Sequence, residues 1–179
     1  MIIEYSNRKK IKLNGFNMSF IRHPKYTNMF LGTMRSVFPN EKNRFPLLYN
    51  EIVCVLLDQE YSVISSWKLK DESKIEKEIS YTHGLEDYRM INENEGFAVS
   101  LYTNREWKPE MCLCTIDKTS IKEIKPLYLR YGRLKTPEKN WLLLREEEEN
   151  YIMIYSYFPF RVVKVNKETG IVDVLSEQN

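Results

Sequence analysis

The sequence predicts an all-β chain built from a repeated four-stranded antiparallel unit, and three observations lead there. Apolar residues alternate with a period of two along almost the whole length, the spacing of strands rather than helices. Three apolar runs end alike, at Asp58, Asp117 and Asn166, and each is followed by a few polar residues and a second apolar run. Aromatic residues make up 13% of the chain, with 12 Tyr and 8 Phe against only 6 Gly and 7 Pro, which favours ordered sheet over loop or disorder.

Taken in order, the first unit pairs residues 16–22 with 29–35 through a turn from Pro24 to Asn28, then pairs residues 52–57 with a strand near 62–64. The turn between that second pair starts at Asp58, whose side chain can accept hydrogen bonds from the backbone two residues on. Residues 70–80, rich in Lys and Glu, are predicted to be a connecting loop or one short helix. The second unit runs 89–91, a turn from Asn92 to Gly96, 97–102, 111–116, the Asp117 turn and a strand at 121. The third runs 141–144, the Glu146 to Glu149 turn, 151–156, 161–165, the Asn166 turn and a last strand from 171. The equivalent turn residues lie 59 and 49 positions apart. Four antiparallel strands about every 50 residues is the repeat of a β-propeller blade. The prediction is therefore one partial β-propeller domain spanning 1–179, with blades at about 14–69, 84–129 and 138–177.

Composition narrows the functional classes. The net charge of +2 comes from 27 basic and 25 acidic residues that interleave, so there is no basic stripe for nucleic acid. The run Arg8-Lys9-Lys10 with Lys12 reads as a solvated strand end. Met1-Ile2-Ile3 gives way at once to Glu4, unlike a signal peptide, and no window approaches the ~20 apolar residues of a membrane span. A soluble, cytoplasmic protein is expected. Of three cysteines, Cys112 and Cys114 fall on one face of one strand, where a mutual disulfide is awkward, so a reducing compartment and core packing are expected. The two histidines, His23 and His83, sit at no ligand spacing, and no metal is predicted. Glu146 to Glu149 reads as a solvated turn, and Trp67 and Trp107 as packing between units or loop cover.

Strand interiors are poor in charged residues. Yet Gly84-Leu85-Glu86-Asp87-Tyr88-Arg89 and Glu138-Lys139-Asn140-Trp141 each stand at the head of a run of strands. Aligned by the repeat, they fall at the first strand of the second and third units, where the first unit has Asn17 and Ser19. If the first strands surround a channel, these groups converge at one mouth.

The pattern resembles the five-bladed propeller glycosidases and glycoside phosphorylases, most closely glycoside hydrolase family 130, the mannoside phosphorylases and their relatives. Phe16-Asn17-Met18-Ser19, with Arg35 on the next strand, is similar to that family's first-blade segment. Gly84 to Arg89 is similar to its Gly-x-Glu-Asp-Pro-Arg motif, with Tyr88 where the family has proline, and Glu138 to Trp141 to its Lys-containing third-blade motif. The likeness covers roughly residues 14 to 175, three blades of five. It implies Asp87 as the acid, acting directly or through a substrate hydroxyl, and Arg35, Arg89 and Lys139 as a cradle for inorganic phosphate. Glu86 and Glu138 would orient those cations or bind hydroxyls, and Asn17 and Asn140 would bind substrate; Tyr155 is added to that set from its place in the repeat alone. It implies a mannoside or other oligosaccharide as substrate, phosphate as co-substrate, no further cofactor, and missing blades supplied by a longer chain or a partner.

Other readings of the same residues stay open. Asp87 with Arg89 and Glu138 with Lys139 can be structural ion pairs. Tyr102 and Tyr155 are read as equivalent second-strand positions facing either site or core, and His83 as loop surface or a contact to phosphate or sugar. The competing function is a catalytically inactive or truncated propeller that binds carbohydrate or serves as a scaffold.

Overall fold

The computed structural model of the chain describes residues 15–40, 47–71, 82–100, 110–117, 123–130 and 140–178. Among these there are strands and turns and no helix. Among the described residues no helix is therefore long and apolar enough to cross a membrane.

Thirteen strands follow one another: β1 (Phe16–Arg22), β2 (Met29–Asn40), β3 (Leu47–Asp58), β4 (Val63–Lys68), β5 (Lys70–Asp71), β6 (Thr82–Met90), β7 (Glu95–Ser100), β8 (Glu110–Ile116), β9 (Glu123–Tyr128), β10 (Leu142–Glu146), β11 (Asn150–Tyr157), β12 (Phe160–Asn166) and β13 (Val172–Gln178). All but β5 sort into three antiparallel meanders, β1 to β4, β6 to β9 and β10 to β13. The first two are joined into one sheet by a parallel pairing of Leu48, Tyr49 and Asn50 with Thr82, His83 and Gly84.

The turns form as side-chain chemistry dictates. Asp58 Oδ1 accepts from the backbone N–H groups of Glu60 and Ser62, both at 2.8 Å. Asn166 Oδ1 accepts from the N–H of Thr169 at 2.8 Å, and Asn92 Oδ1 from those of Asn94 and Glu95 at 2.9 Å. The acidic turn at 146–149 is in water, with Lys167 Nζ bound to Glu146 Oε1 at 2.6 Å. Residues 118–122, which follow Asp117, lie outside the described residues.

The segment predicted as a loop or short helix from Lys70 begins instead with β5, which pairs in parallel with Glu123 and Ile124 of β9; residues 72–80 lie outside the described residues. Arg130 makes the corresponding parallel bridge to Ile171, ahead of β13. Each of the first two meanders thus hands its chain to the last strand of the next. The cause is a single extended residue or two carried past the fourth strand, whose backbone groups would otherwise be unpaired.

Strand alternation sorts the core into layers. Ile52 and Cys54 of β3 pack with Leu85, Tyr88, Ala98, Cys112 and Cys114 between the first and second meanders. Phe97, Val99, Met111 and Leu113, on the opposite face of the second, pack with Trp141, Tyr151, Met153, Tyr155 and Val163 of the third. Val53, Val55 and Leu57 line the other face of β3 with Met34. All three cysteines are buried free thiols, and burial pushes Cys54 up to about 12, so its thiol is inert at neutral pH. Trp67 packs at the edge of the first of these layers, while Trp107 lies outside the described residues.

Candidate functional site

Backbone register sets one position on each of the first three strands in correspondence across the three meanders. Ser19 pairs with Thr33 and Thr33 with Cys54; Arg89 with Phe97 and Phe97 with Leu113; Leu142 with Ile154 and Ile154 with Val162. Two residues before Ser19, Arg89 and Leu142 stand Asn17, Asp87 and Asn140, and these are three of the four non-glycine residues with positive φ among the described residues, at 53°, 54° and 69°. In β1 and β6 the register slips there, so that two residues oppose one on the next strand. This is a bulge whose first residue is left-handed. Asn and Asp tolerate that conformation more readily than other L-residues because their short polar side chains bond locally.

The bulge separates two kinds of side chain. The residue after it, Met18, Tyr88 or Trp141, turns toward the core, and Tyr88 and Trp141 are almost completely buried. The left-handed residue itself turns outward: Asn17 and Asn140 are exposed and Asp87 is half-buried. Tyr88, in the place where the resemblance sets a proline, fills the layer between the first two meanders and lies over Gly96, where an added Cβ would meet its ring at 2.6 Å.

Neighbouring first strands approach closely. Ser19 Oγ accepts from the N–H of Met90 at 3.0 Å, and Thr33 Oγ1 donates to the carbonyl of Tyr88 at 3.3 Å. At the level of the bulges, Asn17 Nδ2 donates to Asp87 Oδ1 at 2.5 Å, across 70 residues of sequence. Arg35 Nη1 lies 2.8 Å from Glu86 Oε2 and 3.6 Å from Asp87 Oδ1, and Arg35 Nε donates to Asn50 Oδ1 at 2.7 Å. Between the second and third meanders, Arg89 Nη2 donates to Asn140 Oδ1 at 3.4 Å.

Six of the predicted residues, Asn17, Arg35, Glu86, Asp87, Arg89 and Asn140, therefore stand at one end of the sheets and are linked in two contacting groups. Glu86 is 3% exposed, and a carboxylate so buried requires a cation against it, which Arg35 supplies. The contacts differ from the ion pairs read from sequence: Asp87 pairs with Arg35, and Arg89 reaches Asn140. Glu138 and Lys139 lie outside the described residues, as does Tyr102. Tyr155 belongs to the core, with its ring 5.0 Å from that of Trp141. The register equates it with Ala98 and not with Tyr102, because it stands one residue past the partner of Leu142 just as Ala98 stands one past the partner of Arg89. His83 contributes a backbone pairing to Tyr49.

Sequence reasoning missed Asn50, a buried amide that fixes Arg35. Its signal is a polar residue at the start of the long apolar run 47–57. It also left Gly84 unexplained. With φ at 100° and an added Cβ only 2.2 Å from the Asn50 carbonyl, this position admits glycine alone, which lets β6 run beside β3 and brings Glu86 to Arg35. A third missed signal is an Asn or Asp followed by a large apolar residue at 17–18, 87–88 and 140–141.

Chemically the cluster offers one half-buried carboxylate, an anchored guanidinium, an exposed guanidinium and two exposed amides. Among the described residues no group of His, Cys, Asp and Glu could hold a metal. No protein-family model, no curated protein sequence and no solved structure matches this chain.

Proposed function

We propose that the chain is a carbohydrate-active protein of the glycoside phosphorylase and hydrolase type, built as three blades of a propeller and acting on mannosides with phosphate as co-substrate. The observation that carries this reading is the meeting of Asn17 and Asp87, equivalent bulge residues of neighbouring first strands, beside the Arg35 and Glu86 pair. Three four-stranded antiparallel meanders packed face on face, with the first strands of the first two within hydrogen-bonding distance, support the propeller architecture.

In this reading Asp87 supplies the proton to the leaving oxygen, directly or through a substrate hydroxyl, since glycoside cleavage requires such an acid. Arg35, held by Glu86 and Asn50, positions Asp87. Arg89, exposed beside Asn140, is the cation that meets phosphate, with Lys139 adjoining in sequence, and Asn17 and Asn140 bind sugar hydroxyls. Phosphate replaces water as the nucleophile, so a second carboxylate is not needed. The test is release of a sugar 1-phosphate from a manno-oligosaccharide by the full chain with and without inorganic phosphate. Phosphate-dependent release that Asp87→Asn abolishes is expected. Release that ignores phosphate assigns a hydrolase, and release retained in Asp87→Asn removes Asp87 as the acid.

A second reading, a binding or scaffold propeller without turnover, is favoured by one specific feature. Positions that are buried against the next meander in the first two, Cys54 and Leu113, correspond to Val162 in the third, which is only half-buried beside exposed Leu142 and Leu144. A further blade, from a longer chain or a partner, would cover this face and complete the walls of the mouth. Binding of the same saccharide without any product, under conditions where phosphate also binds, would establish this second reading.

A further inference from the structure

We infer that Tyr157 and Phe158, at the tip between β11 and β12, form an aromatic platform for a sugar ring, a second subsite beside the polar cluster; the inference rests on the carbohydrate reading above. Three observations carry it. Phe158 is 91% exposed and Tyr157 64%, side chains that normally go inside, while Tyr155 and Trp141 of the same meander are buried. The tip is held in one shape by Ser156 Oγ, which donates to the Pro159 carbonyl at 2.6 Å, so the rings are presented on a fixed support. And the tip stands at the same end of its sheet as the bulge residues. Leu142 pairs with Ile154 and Tyr157 with Phe160, so Asn140, two residues before Leu142, lies level with the chain just beyond Ile154, next to the tip.

Two exposed rings next to amides and a guanidinium suit one ligand chemistry in particular. A pyranose has an apolar face of C–H groups that lies flat on an aromatic ring, and hydroxyls around its rim that seek amide and guanidinium partners. Asn140 and Arg89 supply the second set. The ligand is therefore an oligosaccharide with one residue over Asp87 and another over the tip.

The experiment is calorimetric titration of the full chain, and of Phe158→Ala and Phe158→Trp, with mannose and with β-linked mannotetraose, alongside inorganic phosphate. The wild-type chain is expected to bind the tetraose more tightly than the monosaccharide, Phe158→Ala to lose roughly ten-fold in tetraose affinity while mannose and phosphate binding stay as they were, and Phe158→Trp to restore it. Because the ring is in water, the melting temperature of Phe158→Ala should not move. Tetraose binding unchanged in Phe158→Ala overturns the platform and leaves the carbohydrate reading standing. Absence of saccharide and phosphate binding in the wild type overturns both. Sedimentation with phosphatidylcholine vesicles that Phe158→Ala abolishes also overturns the platform, by assigning the tip to a lipid surface.

Discussion

At the scale of single residues, the site depends on a backbone conformation before it depends on any charge. Asn17, Asp87 and Asn140 share a left-handed φ, which turns the residue after each toward the core and the side chains of Asn17 and Asn140 into water. A β-carbon in that region costs roughly 1–2 kcal/mol for an ordinary L-residue, less for Asn, Asp or Gly. Asp87→Asn and Asp87→Gly should therefore unfold in urea near the wild-type midpoint, whereas Asp87→Ala should be less stable than Asp87→Asn by about 1 kcal/mol or more. Equal stability of the Ala and Asn variants would mean that the bulge is not enforced there. The residue types were legible in the sequence, but their conformation was not. Asn and Asp also start ordinary turns, as Asp58 and Asn166 do, and one polar letter does not distinguish the two uses.

At the scale of elements, the bulge in β6 divides the strand between two tasks, with Asp87 turned outward and Tyr88 to the core; just before β10, Asn140 is exposed and Trp141 buried in the same way. Truncating Trp141 to Ala removes the largest side chain between the second and third meanders, at a cost of about 3–5 kcal/mol. Its unfolding should show in the β10 to β13 amides first by hydrogen exchange, with β6 to β9 retaining protection; simultaneous loss of both would indicate one cooperative unit instead. Strand number, turn positions and the two-residue alternation were readable because each is a local pattern. The parallel links, β5 with β9 and Arg130 with Ile171, were not, since a residue pairing far along the chain leaves no mark in its own neighbourhood. The equation of Tyr155 with Tyr102 failed for a similar reason: a bulge and a long connection shift the count of residues, and only the pairing of Leu142 with Ile154 restores it.

At the scale of the whole molecule, residues from three meanders reach one end, and this is what a functional reading needs. The convergence of Asn17 with Asp87, and of Arg89 with Asn140, followed from aligning repeats in the sequence; the roles of Arg35 and Glu86 toward each other required the buried Asn50 and the tight approach at Gly84. The most direct test of a shared saccharide and phosphate mouth is a two-dimensional amide NMR titration of the full chain, first with inorganic phosphate and then with mannotetraose. The account predicts phosphate-induced shifts at Arg89 and Asn140, saccharide-induced shifts at Asn17, Asp87 and the Tyr157 to Phe158 tip, and none at the opposite turns around Asp58 and Asn166. Shifts confined to those opposite turns, or no shift with either ligand, would contradict it.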